Sequence, residues 1–240
     1  MAVKAILLDA GGTLWEPGRQ IGGRKGVWFQ TLTQLGFNVS QASVSMAYDI
    51  VWISFAHRWN RMETWGLPNP SEVVDRFWEE FNIALVTHLD MIADRHILKS
   101  RLESNSLRDA LYPDTELAIA RLRALGYKLA IVSNGSHQRD YAHRLGIARC
   151  FYAVVSSTEI GYRKPMPEVF HAALEKLGVS AEEAIMIGDS YEADVLCARA
   201  AGIEALHLIR DPETVSLMND PETIADLWGV VRHLESVAVC

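Results

Sequence analysis

The sequence predicts an α/β protein: a parallel sheet with helices on both faces, interrupted after its first strand by an all-helical segment. Three observations predict it. Short apolar runs each stop abruptly at a polar residue or a glycine. Helical patterns lie between those runs, most of them closed by a glycine. One long stretch, residues 16–106, contains no convincing strand.

The elements follow in order. Val3 to Leu8 reads as a buried strand that drives into Asp9 and then into the bare turn Gly11-Gly12-Thr13. The inserted segment reads as helices over 24–35, 40–61, 71–88 and 93–102, with breaks at Gly36 and at Gly66-Leu67-Pro68-Asn69-Pro70. The sheet pattern then resumes. Pro113-Asp114 opens a helix, with Asp114 as its N-cap, whose apolar face is Ala118, Leu122 and Leu125 and whose stop is Gly126. Lys128 to Val132 is a strand ending at Ser133-Asn134-Gly135, a helix runs from Gln138 to Leu145, and Tyr152 to Val155 is the next strand. Pro167 begins a helix that buries Val169, Phe170, Ala173, Leu174 and Leu177, and Ser180 with Glu183 has capping-box spacing. Ala184 to Ile187 is a strand ending at Gly188-Asp189, Ala193 to Ala201 a helix, and Ile203 to Leu208 a last short strand. From Asp211 onward the pattern is polar loop followed by a short strand or turn. The expected division is a core from residues 1–15 and 107–240, with a helical cap from residues 16–106.

Composition sets the outer bounds. With 240 residues, 49% of them hydrophobic and 22% charged, the chain can bury the core of one large domain or of a domain plus a smaller one. A net charge of −7 argues against nonspecific binding to nucleic acid or an anionic membrane. No apolar run approaches the length of a membrane span, and Met1-Ala2-Val3-Lys4 leads straight into the first strand without a signal-peptide pattern. Cys150, Cys197 and Cys240 are scattered, with neither metal-site spacing nor a disulfide framework, so a reducing, cytoplasmic setting is expected. Oligomeric state has no signature.

The polar residues gather at strand ends. Asp9 closes the first strand, Ser133 the second and Asp189 the fourth, while Lys164 lies in the loop after the third and Asp194 five residues beyond Asp189. In an open α/β sheet, ligands bind beyond the carboxyl ends of the strands. Three carboxylates brought together repel unless a cation intervenes, and hard oxygen ligands suit Mg²⁺. Lys164 can offset one carboxylate and meet an anionic substrate, and Ser133 offers a hydroxyl with backbone N–H groups beside it. Carboxylates, metal, lysine and hydroxyl together describe phosphoryl transfer, with an aspartate as covalent nucleophile. Gly12, Asn134 and Gly135 are read as substrate-binding positions; at the glycines little side chain keeps backbone from the ligand.

These stretches resemble the haloacid dehalogenase (HAD) superfamily, in its subgroup with a helical cap after the first strand. "DAGGTL" from Asp9, "LAIVSNG" ending its strand at Ser133, "GYRKPMPEVF" around Lys164 and "GDSYEAD" from Gly188 match its four motifs in order. The resemblance implies a Rossmann-like core and a hydrolase. It implies Asp9 as nucleophile and metal ligand, Ser133 and Lys164 on the transferring phosphoryl group, and Asp189 on Mg²⁺. It also implies Asp194 near that ion or orienting Lys164, and the backbone carbonyl of Gly11 as a further metal ligand.

One position departs from the pattern. Phosphatases of this kind usually carry an aspartate where Gly11 stands, to protonate the leaving group and then activate water; such catalysis is worth ~10² to 10⁴-fold. Three readings follow: a phosphatase of a small phosphate ester that finds its proton elsewhere, a metal-free 2-haloacid dehalogenase using the same nucleophile, or a noncatalytic protein that binds phosphate and metal. The pair Asp189 and Asp194 favours the phosphatase, because dehalogenation by an aspartate needs no cation. Arg163 reads as a surface residue. In the cap, Trp28, Trp52, Trp59, Trp65 and Trp78 read mainly as core, His57, Arg58 and Arg61 as a solvated face, and Arg24 and Lys25 as the cations best placed for a substrate anion.

Overall fold

The computed structural model describes residues 2–16, 18, 22–61, 70–106, 110–135, 137–210, 215 and 220–237, except the side chains of 59–61, 70, 71, 106 and 237. The chain divides into two compact units, Met1–Trp15 with Leu111–Cys240, and Glu16–Ala110.

The first unit is built on a six-stranded parallel sheet. Its strands are β1 (Ala5–Leu8), β4 (Lys128–Ser133), β5 (Ala153–Ser156), β6 (Ala184–Gly188), β7 (Glu204–Leu208) and β8 (Thr223–Ile224), in the order β5-β4-β1-β6-β7-β8. The short strands β2 (Trp15–Glu16) and β3 (Ala110–Leu111), absent from the sequence reading, pair with each other where the chain leaves this unit and returns.

Side chains alternate across a strand, so β1 feeds two cores. Ile6 and Leu8 pack with α5 (Thr115–Ala124), α6 (Gln138–Arg144) and α10 (Leu227–Val237). Ala5 and Leu7 pack on the opposite side with α8 (Glu168–Leu177) and α9 (Cys197–Ala200). Between β5 and α8 comes the single turn α7 (Ser157–Ile160).

Strand β1 has β4 on one side and β6 on the other, which makes it the point where strand order reverses and a crevice opens. Leu8 lies level with Ile131 of β4 and Ile187 of β6. One step further puts Asp9 level with Val132 and Gly188, so Ser133 and Asp189 emerge within a residue of the same line.

Three expectations need correction. The short strand expected beyond Asp211 is present at Thr223–Ile224, but it is followed by the helix Leu227–Val237, which the reading lacked; Leu227, Val230, Val231 and Leu234 are its buried stripe. Residues Tyr191–Leu196 wind as a π-helix before α9 rather than as one α-helix from Ala193. Asp114 stands at the N-cap position of α5 but makes no cap bond; its carboxylate accepts from Arg210 Nη1 at 2.6 Å and from the Leu227 N–H at 2.7 Å. The capping box at Ser180 and Glu183 is present as read.

The second unit holds the helices α1 (Gly23–Gln34), α2 (Gln41–Arg61), α3 (Pro70–His88) and α4 (Arg95–Ser106). Pro70 opens α3 at the position where a missing N–H costs nothing, and Asp94 Oδ1 accepts the N–H groups of His96 and Ile97, which starts α4 later than its apolar pattern. Their interior is aromatic: Trp52 stacks on Trp78 at 6.1 Å, and Phe81 meets Tyr48, Trp52, Phe55 and Trp78 edge-on. Trp28 is buried with them, as read. The Trp59 and Arg61 side chains, Trp65 and the break at 66–69 lie outside the described residues. Among the described residues no helix is long and apolar enough to cross a membrane.

Candidate active site

The site begins with Asp9, whose N–H donates to Ile187 O at 2.9 Å and extends the β1–β6 ladder by one residue. The next residues cannot continue a strand. Leu14 N–H donates back to Ala10 O at 2.7 Å and Gly12 N–H to Trp15 O at 2.8 Å, closing a tight loop. Gly12 has a φ of 86°, and a Cβ there would overlap the Asp189 carboxylate. At Gly11 a Cβ would meet nothing within 4 Å. The two glycines therefore differ: the second is required by geometry and the first leaves open space.

Lys164 lies among acids. Its ammonium donates to Asp9 Oδ1 at 2.6 Å and also to Asp194 Oδ1. These are buried groups: Lys164 is 2% exposed, Asp194 1% and Asp9 8%. Asp194 Oδ2 accepts the Ser190 N–H at 3.0 Å, so both of its oxygens are engaged. Asp194 has this room because residue 188 is glycine; a Cβ there would overlap its carboxylate. Asp189 completes the group on the solvent side, and ligand atoms of Asp9, Asp189 and Asp194 lie within 4.8 Å of one another.

The charges are out of balance, with three carboxylates around one ammonium. Desolvation among surrounding protein atoms, reinforced by the charges of Asp9 and Asp194, pushes the Asp189 carboxyl up to about 7. Burial pushes Asp194 up to about 6, with Asp9 adding to the shift and Lys164 opposing it. Burial alone would lower the Lys164 ammonium, but Asp194 and Asp9 outweigh it and hold Lys164 above the ordinary lysine range. A hard divalent cation fits this donor set, since it would relieve a repulsion that one lysine leaves uncompensated.

Ser133 is buried at the end of β4. Beyond it the loop is fastened at two successive residues. Asn134 Nδ2 donates to Lys164 O at 2.7 Å and Asn134 Oδ1 accepts the Lys164 N–H at 2.7 Å. Gly135 O accepts from the Ser156 hydroxyl at the end of β5. The Asn134 side-chain amide, at a position read from sequence as substrate-binding, is thus occupied by the Lys164 backbone. Arg163 is 3% exposed, not a surface residue, and burial draws its guanidinium down to about 10.

Supports that sequence reasoning missed surround the loop after Asp9. Arg210 donates to Thr13 O, ion-pairs with Asp114 and lies 3.9 Å over the Tyr112 ring. Thr115 Oγ1 donates to Leu14 O at 2.9 Å. His207 Nε2 lies 3.1 Å from Asp189 O, beside the Tyr191 ring. A charged residue just beyond the apolar strand β7 was the available signal for Arg210, and a lone polar ring near the end of that strand the signal for His207.

Within the cap unit the two cations singled out from sequence have neighbours of their own. Arg24 lies 5.4 Å over Trp78, and Lys25 pairs with Asp49 at 2.7 Å in an exposed position. Arg58 pairs with Glu80 and lies over Phe55 and Phe77.

Sheet order and strand-end carboxylates define a doubly wound α/β fold with an acidic site at its switch point, and comparison makes the class specific. The family model of haloacid dehalogenase-like hydrolases matches residues 3–202. The chain belongs to that family. A phosphoglycolate phosphatase of Nitrosococcus oceani is 31% identical over 191 residues, 69% of this chain and 84% of that one. A phosphoserine phosphatase of Thermus thermophilus is 41% identical over 113 residues, covering 44% of this chain and 45% of that protein. As with that relative, the chain spans less than half the length of several curated relatives that it matches. Among solved structures, the magnesium-bound HAD-hydrolase YfnB of Bacillus subtilis superposes with a TM-score of 0.76 at 21% identity, covering 98% of this chain and 99% of that one, a likeness of fold.

Proposed function

We propose that the chain is a Mg²⁺-dependent phosphatase of a small phosphate monoester, working through an aspartyl-phosphate at Asp9. The observation that carries this reading is the buried Lys164 bridging Asp9 and Asp194 beside the solvent-facing Asp189, at the crevice where strand order reverses. The phosphatase names of the two relatives above support the same substrate class.

In this reading Asp9 holds one oxygen on Lys164 and attacks phosphorus with the other. The new Oδ–P bond forms as the ester P–O bond breaks, and the leaving oxygen departs with the bonding pair and takes a proton from water. Water then attacks the phospho-aspartate, the Oδ–P bond breaks, and the Asp9 carboxylate and inorganic phosphate are released. Lys164 and the Ser133 hydroxyl hold the phosphoryl oxygens as charge develops. Asp9, Asp189 and the Gly11 carbonyl would hold Mg²⁺, and Asp194, whose oxygens are engaged, orients Lys164 or meets the ion indirectly. When bound, the ion supplies positive charge against the phosphoryl group. Gly11 contributes no acid, so the reading expects a preference for leaving groups that need little protonation.

The test is release of phosphate from an activated aryl phosphate, with and without Mg²⁺ and with chelator, beside halide release from a short 2-haloacid. Mg²⁺-dependent phosphate release is the expected result. Halide release without metal would replace this reading with a dehalogenase, and silence in both would replace it with a binding role.

A further inference from the structure

Lys164 sits where backbone alone gives it little support. Residues 161–167 lie between α7 and α8 without helix or strand, and Pro165 has no N–H to fasten. The ammonium nevertheless has to reach Asp9 and Asp194 together, and a displacement of ~1 Å at such a site is enough to cost ~10²-fold in rate.

From these contacts we infer that Asn134 is the positioning residue for Lys164, which makes the inference dependent on the catalytic role proposed above for that lysine. One planar amide takes both polar groups of the Lys164 backbone, donating to its C=O and accepting its N–H, each at 2.7 Å. Two antiparallel bonds from one rigid plane fix rotation as well as position, as in a strand pair. Asn134 is itself anchored, since it directly follows Ser133 at the end of β4, which pairs with β1. The amide therefore sets the lysine loop in register with the strand that carries Asp9. Leucine has the same shape without the polar atoms, aspartate has no donor, and serine is too short to bridge both groups.

The experiment compares Asn134→Leu with wild type in three readouts. Backbone amide exchange at Lys164 should quicken at least ~10-fold while amides of Leu129 to Val132 keep wild-type rates. With Mg²⁺ and an aryl phosphate, kcat should fall on the order of 10²-fold. In a Lys164→Ala background the same change should add no further loss, because it acts through the lysine. Unchanged exchange at Lys164, or an equal loss in the Lys164→Ala background, overturns the inference. If wild type hydrolyses no phosphate ester, the function proposed above fails and the exchange result alone decides whether Asn134 holds the loop. Asn134→Ser carries the same measurements if the leucine variant does not fold.

Discussion

Charged side chains meet opposite surroundings in the two units. In the core unit Lys164 is enclosed between Asp9 and Asp194 at the end of a sheet. In the cap unit Lys25 and Asp49 pair in the open, while Arg24 and Arg58 spread their charge over aromatic rings. The difference follows from the elements. Parallel strands all end on one edge, so polar residues from distant parts of the chain converge there and become buried. Helix faces carry their charges outward, each against its own neighbours. Buried convergence gives electrostatics the strength that catalysis uses; exposed pairs in water have little of it.

The comparison is sharpest under substitution. Asp9→Asn should abolish turnover, by on the order of 10⁴-fold or more, because the nucleophile is lost; circular dichroism should show the fold retained, and full activity would break the mechanism. Lys164→Met should slow turnover by on the order of 10³-fold, leaving a measurable rate, and also destabilise the chain by ~3 to 5 kcal/mol, since it leaves Asp9 and Asp194 facing each other without a cation; denaturant unfolding reads this. Gly11→Asp should speed hydrolysis of esters with poor leaving groups by up to ~10²-fold, as the space at that position is open. No change would mean that another group already delivers the proton. Lys25→Met, the cap counterpart of the lysine test, should cost less than ~1 kcal/mol, because its ion pair is solvated. Equal losses at Lys25 and Lys164 would erase the contrast between the units.

The strand-end residues were legible because register does the placing. Once three apolar runs are taken as neighbouring parallel strands, Asp9, Ser133 and Asp189 must emerge together. The four cap helices were legible from periodicity and breaks. What was hidden depends on contacts that have no period. Asn134 and Lys164 are joined by side chain to backbone across thirty residues, and an asparagine before glycine reads locally as a turn. Arg163 beside Lys164 in a polar loop reads as solvated, yet the fold closes over it. The helix Leu227–Val237 did carry an apolar stripe, but Gly229 and the pair Val230-Val231 weaken its local propensity, and packing on the sheet decides the outcome.

The most direct test of the account is to trap the covalent intermediate. Wild-type protein mixed with Mg²⁺ and an activated aryl phosphate, then acid-quenched within one turnover, should carry phosphate on the peptide containing Asp9, as read by mass spectrometry. Phosphate release at a normal rate with Asp9 never labelled, and with the label also missing in a slowed Lys164 variant, would contradict it.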